Sequence, residues 1–118
     1  LNTFNIFSNS LTLKISDSWT NFSHKGDFQF DHCHDVYDGK TNKCILSGCY
    51  YFKTNSNDGD IEFMSPLNVE PPFHLRSIVY KPYVGRLLIF PSWLKHKVRV
   101  NQTDSIRISI SFNIEVIN

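Results

Sequence analysis

At 118 residues, with 41% hydrophobic and 19% charged side chains and a formal net charge of +1, the chain has the size and balance of one folded domain. The near-neutral charge, with no basic block, argues against nucleic-acid binding driven by phosphate contacts. No apolar run approaches the roughly 20 residues of a membrane-spanning helix.

The first ten residues, LNTFNIFSNS, lack the basic start and apolar core of a signal peptide and carry no initiating Met, which reads as a processed or trimmed chain. Strand patterns then follow one another. LTLKIS alternates apolar and polar over 11–16, and GDFQFDHCH alternates from Phe28 onward. CILSGCYYF, GDIEF, HLRSIVY, GRLLIF, HKVRV and SIRISISFN complete the series. Turn-rich stretches separate them: DVYDGKTNK, TNSNDGD, SPLNVEPP, KPYVG and NQTDS. No window shows a 3.6-residue period. Many short strands at close spacing predict an all-β sandwich or barrel with few or no helices, as a single domain over 1–118.

The last strand has an unusual polarity. Ile106, Ile108, Ile110 and Phe112 share one face, and Arg107, Ser109 and Ser111 share the other. A barrel with a polar site inside gives this pattern. The apolar set then needs cover from outside, expected from the segment before Ser16 or from a second copy in a homodimer. Three cysteines, Cys33, Cys44 and Cys49, form no spaced framework and read as reduced thiols of a cytoplasmic protein. The sequons at Asn21 and Asn101 are then coincidental.

Two of the five histidines, His32 and His34, lie one residue apart. In an extended strand residues i and i+2 project to the same side, so both imidazoles can meet one ion, while Asp31, Cys33 and Asp35 face away. A solvated strand is the plain alternative reading. A zinc site of cysteines and histidines is disfavoured, because Cys44 and Cys49 lack the tight spacing of such motifs. His24 and His74 lie in turn-like stretches and read as surface residues. If His96, after the apolar strand GRLLIF, returns beside the pair, three imidazoles form one face of an octahedron. Three positions stay open, as in a non-haem Fe(II) oxygenase.

The order of Trp19, Asn21, Lys25-Gly26, Phe28, His32 and His34, then LSGCYYF, DGDIEF, GRLLIFPSWLKHKV and RISISFN, resembles the Fe(II)/2-oxoglutarate-dependent dioxygenases of the prolyl-hydroxylase type. More closely, it is similar to a 2OG-Fe(II) oxygenase family of bacteria and their phages, over about Trp19 to Asn113. The resemblance implies a double-stranded β-helix, or jelly roll, related to the cupins. It implies His32, His34 and His96 as ligands of catalytic Fe(II), and O2 and 2-oxoglutarate as cosubstrates. Arg107, Tyr51 and Ser109 would bind 2-oxoglutarate, with Tyr50 facing away. The substrate would be a small molecule or a protein side chain, hydroxylated as 2-oxoglutarate becomes succinate. The chain departs from the superfamily pattern at His34, where the usual ligand is Asp or Glu. Ligation by three histidines, a role for His34 outside the metal's own ligands, and a bulge bringing in Asp35 are the readings of that position. Trp19 and Trp93 are expected to pack, Ser47 and Asn113 to face the cavity, and Gly59 and Gly85 to serve turns. The loop after His34 is expected to border the entrance and select the substrate. A cupin-like isomerase or lyase, or a ligand-binding jelly roll without catalysis, would use the same fold.

Overall fold

The structure is a computed structural model that describes residues 12–34, 44–66 and 76–116. Eight strands and no helix occur among them: β1 (Leu13–Ser23), β2 (Gln29–His32), β3 (Cys44–Lys53), β4 (Ile61–Met64), β5 (Ser77–Tyr80), β6 (Leu87–Pro91), β7 (His96–Val98) and β8 (Arg107–Val116). No helix of the described residues is long and apolar enough to cross a membrane. The strands form two four-stranded sheets, ordered β1-β8-β3-β6 and β2-β7-β4-β5, with every pairing antiparallel. Apart from β4 and β5, successive strands alternate between sheets, which is the winding of a jelly roll.

The alternating segments become strands where the sequence places them, with one extension. β1 runs on through Trp19 to Ser23, where the apolar-polar pattern ends at Ser16. It is held there by pairing with β8, from Leu13 opposite Val116 to Ser23 opposite Arg107, around a register shift between Ile15 and Asp17. Over Leu13–Ser16 this corrects the expectation that the segment before Ser16 packs on the apolar side of β8. A strand laid across that face would leave its own N–H and C=O groups unpaired, whereas the open edge of β8 satisfies them. β1 therefore extends the sheet sideways, and its described residues do not cover the outer face. Residues 1–11 and the loop 35–43, with Asp35 and the expected substrate-selecting role, lie outside the described residues, as does His74.

β8 sits between β1 and β3, so it is a central strand. Its residues Ile108, Ile110 and Phe112 face outward, opposite Phe22, Thr20 and Ser18 of β1. The Phe112 ring lies where a side chain on Gly48 of β3 would be, so only glycine fits at 48. Inside, Ile61, Phe63 and Phe90 form a small core, with Tyr80, Leu88, Leu94 and Val98 packed against it. Phe63 and Phe90 meet edge to face at 4.8 Å. This core fills one part of the sandwich, and buried polar residues, among them His96, Arg107 and Ser109, lie beside it.

Candidate metal centre

His32 on β2 stands directly opposite His96 on β7, and Phe63 on β4 stands opposite His96 from the other side. Residues in one row across a sheet share a face, so both imidazoles point inward with the core phenylalanine. Their ring centroids are 4.2 Å apart. His34 follows the end of β2 in a bend, and its backbone N–H donates to Ser92 O at 2.9 Å. Ser92 is fixed in turn, with its hydroxyl donating to Cys44 O at 2.9 Å. The His34 ring thereby comes to 5.2 Å from both His32 and His96. One ligand atom from each of the three histidines lies within 4.8 Å of the others, a group that could hold one metal ion.

The imidazoles are oriented for this. His32 Nδ1 lies 2.8 Å from Phe30 O, and His96 Nδ1 lies 2.9 Å from Leu94 O. A carbonyl accepts only, so Nδ1 carries the proton in each and Nε2 keeps its lone pair for a metal. Burial against Phe63 and Phe90 pushes His96 down to about 4. Burial, then the neighbouring His32, also lowers His34. Both are therefore neutral near pH 7, the form that ligates.

The facing wall of the same cavity, about 360 Å³, is the inner face of β1, β8 and β3. It presents Trp19 and Asn21, then Arg107, Ser109 and Ser111, then Cys49 and Tyr51. Arg107 is 6% exposed. Its Nη1 donates to the carbonyls of Asp58 and Gly59 at 3.0 and 2.9 Å, while its buried Nε has no partner. An orphaned guanidinium N–H in a cavity fits a carboxylate from a ligand. Tyr51 is 3% exposed, and burial raises its phenol far above the ordinary range, so it stays a neutral donor. Burial likewise raises the Cys49 thiol. The donor set thus fits a divalent ion bound by imidazoles beside an anionic cosubstrate.

A family described as Putative 2OG-Fe(II) oxygenase matches residues 17–113. The chain belongs to this 2OG-Fe(II) oxygenase family. Fe(II) is the family's cofactor and 2-oxoglutarate its cosubstrate. The fold is similar to that of an oxidoreductase of the 2OG-Fe(II) oxygenase family from Burkholderia pseudomallei (TM-score 0.72, 17% identity, 95% of this chain and 50% of that one). It is similar to a Pseudomonas putida prolyl-4-hydroxylase (TM-score 0.65, 17% identity, 86% and 54%). It is also similar to HygX from Streptomyces hygroscopicus, solved with nickel and 2-oxoglutarate bound (TM-score 0.64, 14% identity, 87% and 57%). The chain spans about half the length of these solved structures. No curated protein matches its sequence.

In this chain all six residues singled out from the sequence, His32, His34, His96, Arg107, Tyr51 and Ser109, line one cavity. Tyr50 faces out and is 37% exposed. Trp19 does not simply pack in the core. Its ring stacks on His34 at 5.9 Å with an 18° interplanar angle, because the extended β1 carries it opposite Ser111. Trp93 is 52% exposed and packs little. Asn101 is fully buried, with its amide donating to Ser23 O and Ser105 O, which rules out glycosylation of the folded chain there.

The residues that hold Arg107 escape sequence reasoning. Asp58 is fully buried, and its carboxylate accepts from Thr54 Oγ1 at 2.6 Å and from the Asn55 N–H at 3.0 Å. That fixes the loop whose carbonyls grip the guanidinium. Gly59 has φ +116°, and a Cβ there would lie 2.5 Å from Arg99 O and 2.8 Å from Arg107 Nη1. Its role is therefore close approach as well as a turn. The DGD turn was the only hint of this.

Proposed function

We propose that this chain carries the catalytic site of an Fe(II)/2-oxoglutarate-dependent dioxygenase that hydroxylates its substrate. The carrying observation is the placement of three converging imidazoles and a buried, half-partnered Arg107 in one cavity. Fe(II) with bound 2-oxoglutarate supplies the oxidising chemistry: O2 and 2-oxoglutarate yield succinate and CO2, and the second oxygen atom converts substrate C–H to C–OH. His32, His34 and His96 would hold the ion as neutral donors. Their lack of charge leaves the dianionic cosubstrate to balance the metal. Arg107, with Nη1 already committed to Asp58 O and Gly59 O, would turn its remaining N–H groups to the distal carboxylate. Tyr51 would donate its hydroxyl to the same group, and Ser109 lies beside it on the facing strand. Ile61, Phe90 and Val98 line the cavity and would keep bulk water from the reacting centre.

The near-neutral chain favours a small molecule or a protein side chain over nucleic acid as substrate. None of Cys33, Cys44 and Cys49 forms a disulfide, which suits a reducing cytoplasm. An isomerase or lyase on the same triad would have no need of a buried carboxylate anchor, and a merely structural histidine cluster would have no need of oriented, neutral nitrogens. Anaerobic addition of Fe(II) and 2-oxoglutarate should produce a weak visible charge-transfer band. Arg107→Ala should abolish it at the same ligand concentration, and exposed Lys95→Ala should not. A full band in Arg107→Ala refutes the assignment.

A further inference from the structure

The three imidazoles are held in two different ways. His32 and His96 stand opposite each other on paired strands, and each donates from Nδ1 to a carbonyl two residues earlier, Phe30 O and Leu94 O. His34 lies two residues past the end of β2. Its backbone N–H donates to Ser92 O at 2.9 Å, but a backbone bond leaves the ring its choice of side-chain rotamers. The ring itself lies in a stack. The Trp19 indole is within 18° of parallel to it at 5.9 Å, and the His96 imidazole is within 11° at 5.2 Å. Trp19 reaches His34 from the other sheet. Pairing of β1 with β8 sets Trp19 opposite Ser111, which lines the cavity, so the indole projects inward beside it. The next inward position on β1 is pinned to the same serine, where Asn21 Nδ2 donates to Ser111 Oγ at 2.8 Å. Trp93, the second tryptophan, does not line this cavity.

We propose that Trp19 is the positioning residue of the third imidazole, orienting by stacking a ring that lies beyond the end of its strand. The inference rests on reading the triad as a metal site. A ligating imidazole must present its nitrogen in a set direction, and groups around the ligands fix that direction. Turning the His34 ring out of its plane would break its contact with the largest aromatic surface in the cavity. The stack also favours the loaded site over the empty one. An imidazole bound to a divalent ion takes on part of the ion's positive charge, and the face of an indole attracts positive charge. Trp19 therefore holds metal-bound His34 more strongly than free His34, and by linkage the difference appears as metal affinity. The indole is 36% exposed, on the outermost strand of its sheet among the described residues, so its replacement disturbs the small core little.

The test is Co(II) affinity of the full chain by calorimetry, read together with the ligand-field spectrum of bound Co(II). Trp19→Leu should weaken binding about three- to tenfold, the range of one aromatic contact, and alter the spectrum. Trp19→Phe keeps a ring and should lie nearer to the wild type than to Trp19→Leu in both readouts. The effect should run through His34: in a His34→Ala background, Trp19→Leu should change the affinity by no more than about twofold. Wild-type affinity and spectrum in Trp19→Leu overturn the inference. So does an equal loss with His34 already removed, and so does a Trp19→Phe as weak as Trp19→Leu. If Trp19→Leu does not fold, Trp93→Phe decides, because it leaves Trp19 as the one tryptophan. Zn(II) should then change the indole emission with the midpoint found by calorimetry, and an unchanged emission overturns the inference. Failure of the underlying metal reading looks different: the wild type would then bind Co(II) no better than His96→Ala.

Discussion

The two faces of the β1-β8-β3-β6 sheet differ in a way that reverses the usual half-buried strand. On β8, Arg107, Ser109 and Ser111 line the interior cavity, while Ile108, Ile110 and Phe112 point outward. In an ordinary sandwich the apolar set meets the facing sheet. Here the facing sheet brings His32 and His96 to that place, and polar side chains must meet them. The outer face carries Ile15, Phe22, Leu87 and Ile89, each more than half exposed. The outer face of the other sheet is different again: there Glu62 pairs with Lys97 at 3.0 Å and Arg99 at 2.7 Å. Polarity that faces inward marks a ligand site, and function and local packing are divided between opposite sides of one strand.

That division can be broken at graded points, from the largest effect to the smallest. The interior should respond to pH. His96 is pushed down to about 4 by burial, from 6.5. Above 6.5 it is neutral in both states. As pH falls, the unfolded chain takes up a proton that the folded chain refuses, so the metal-free protein should lose up to about 3 kcal/mol between pH 6.5 and 4. Urea melts at pH 7 and pH 4.5 would show this, and His96→Gln should flatten the dependence.

Gly59→Ala should cost about 1–3 kcal/mol, since Ala resists φ +116° and its Cβ would press on Arg99 O and Arg107 Nη1. It should also weaken 2-oxoglutarate binding in calorimetry, because the carbonyls that hold Arg107 must shift. Tyr51→Phe removes only a hydroxyl from the cavity. It should weaken 2-oxoglutarate about tenfold, the value of one hydrogen bond to a charged group, and leave Co(II) affinity unchanged. On the opposite side, Ile89→Ser, at a residue 53% exposed, should change stability by about 0.5 kcal/mol and alter neither ligand affinity. A cost near that of a buried isoleucine in denaturant melts would show that this face is covered in solution.

Much of this was legible before any coordinates. Period-2 alternation marked Arg107, Ser109 and Ser111 as one face, and put His32 and His34 on one side even though β2 ends at His32. The apolar strand before His96 marked it as the candidate third imidazole, and the resemblance to 2-oxoglutarate oxygenases then named Tyr51. What escaped was of two kinds. Asp58 and Gly59 act through backbone carbonyls, which every residue has, so their identities announce little. Trp19 acts through its side chain on His34, but only because β1 continues past its alternating stretch along β8, an extension decided by the partner strand's free edge.

The sequence by itself determined which residues share a face of each strand and which donors are available to an ion, because side-chain direction along a strand is local and repeats every two residues. Tertiary structure alone decided that His96 lies opposite His32, that Arg107 is gripped by the 58–59 carbonyls, and that Trp19 stacks on His34. Those contacts depend on register between strands distant in the chain. Register is set jointly by the burial of Ile61, Phe63 and Phe90 and the pairing of every strand with its neighbours, which no single segment encodes.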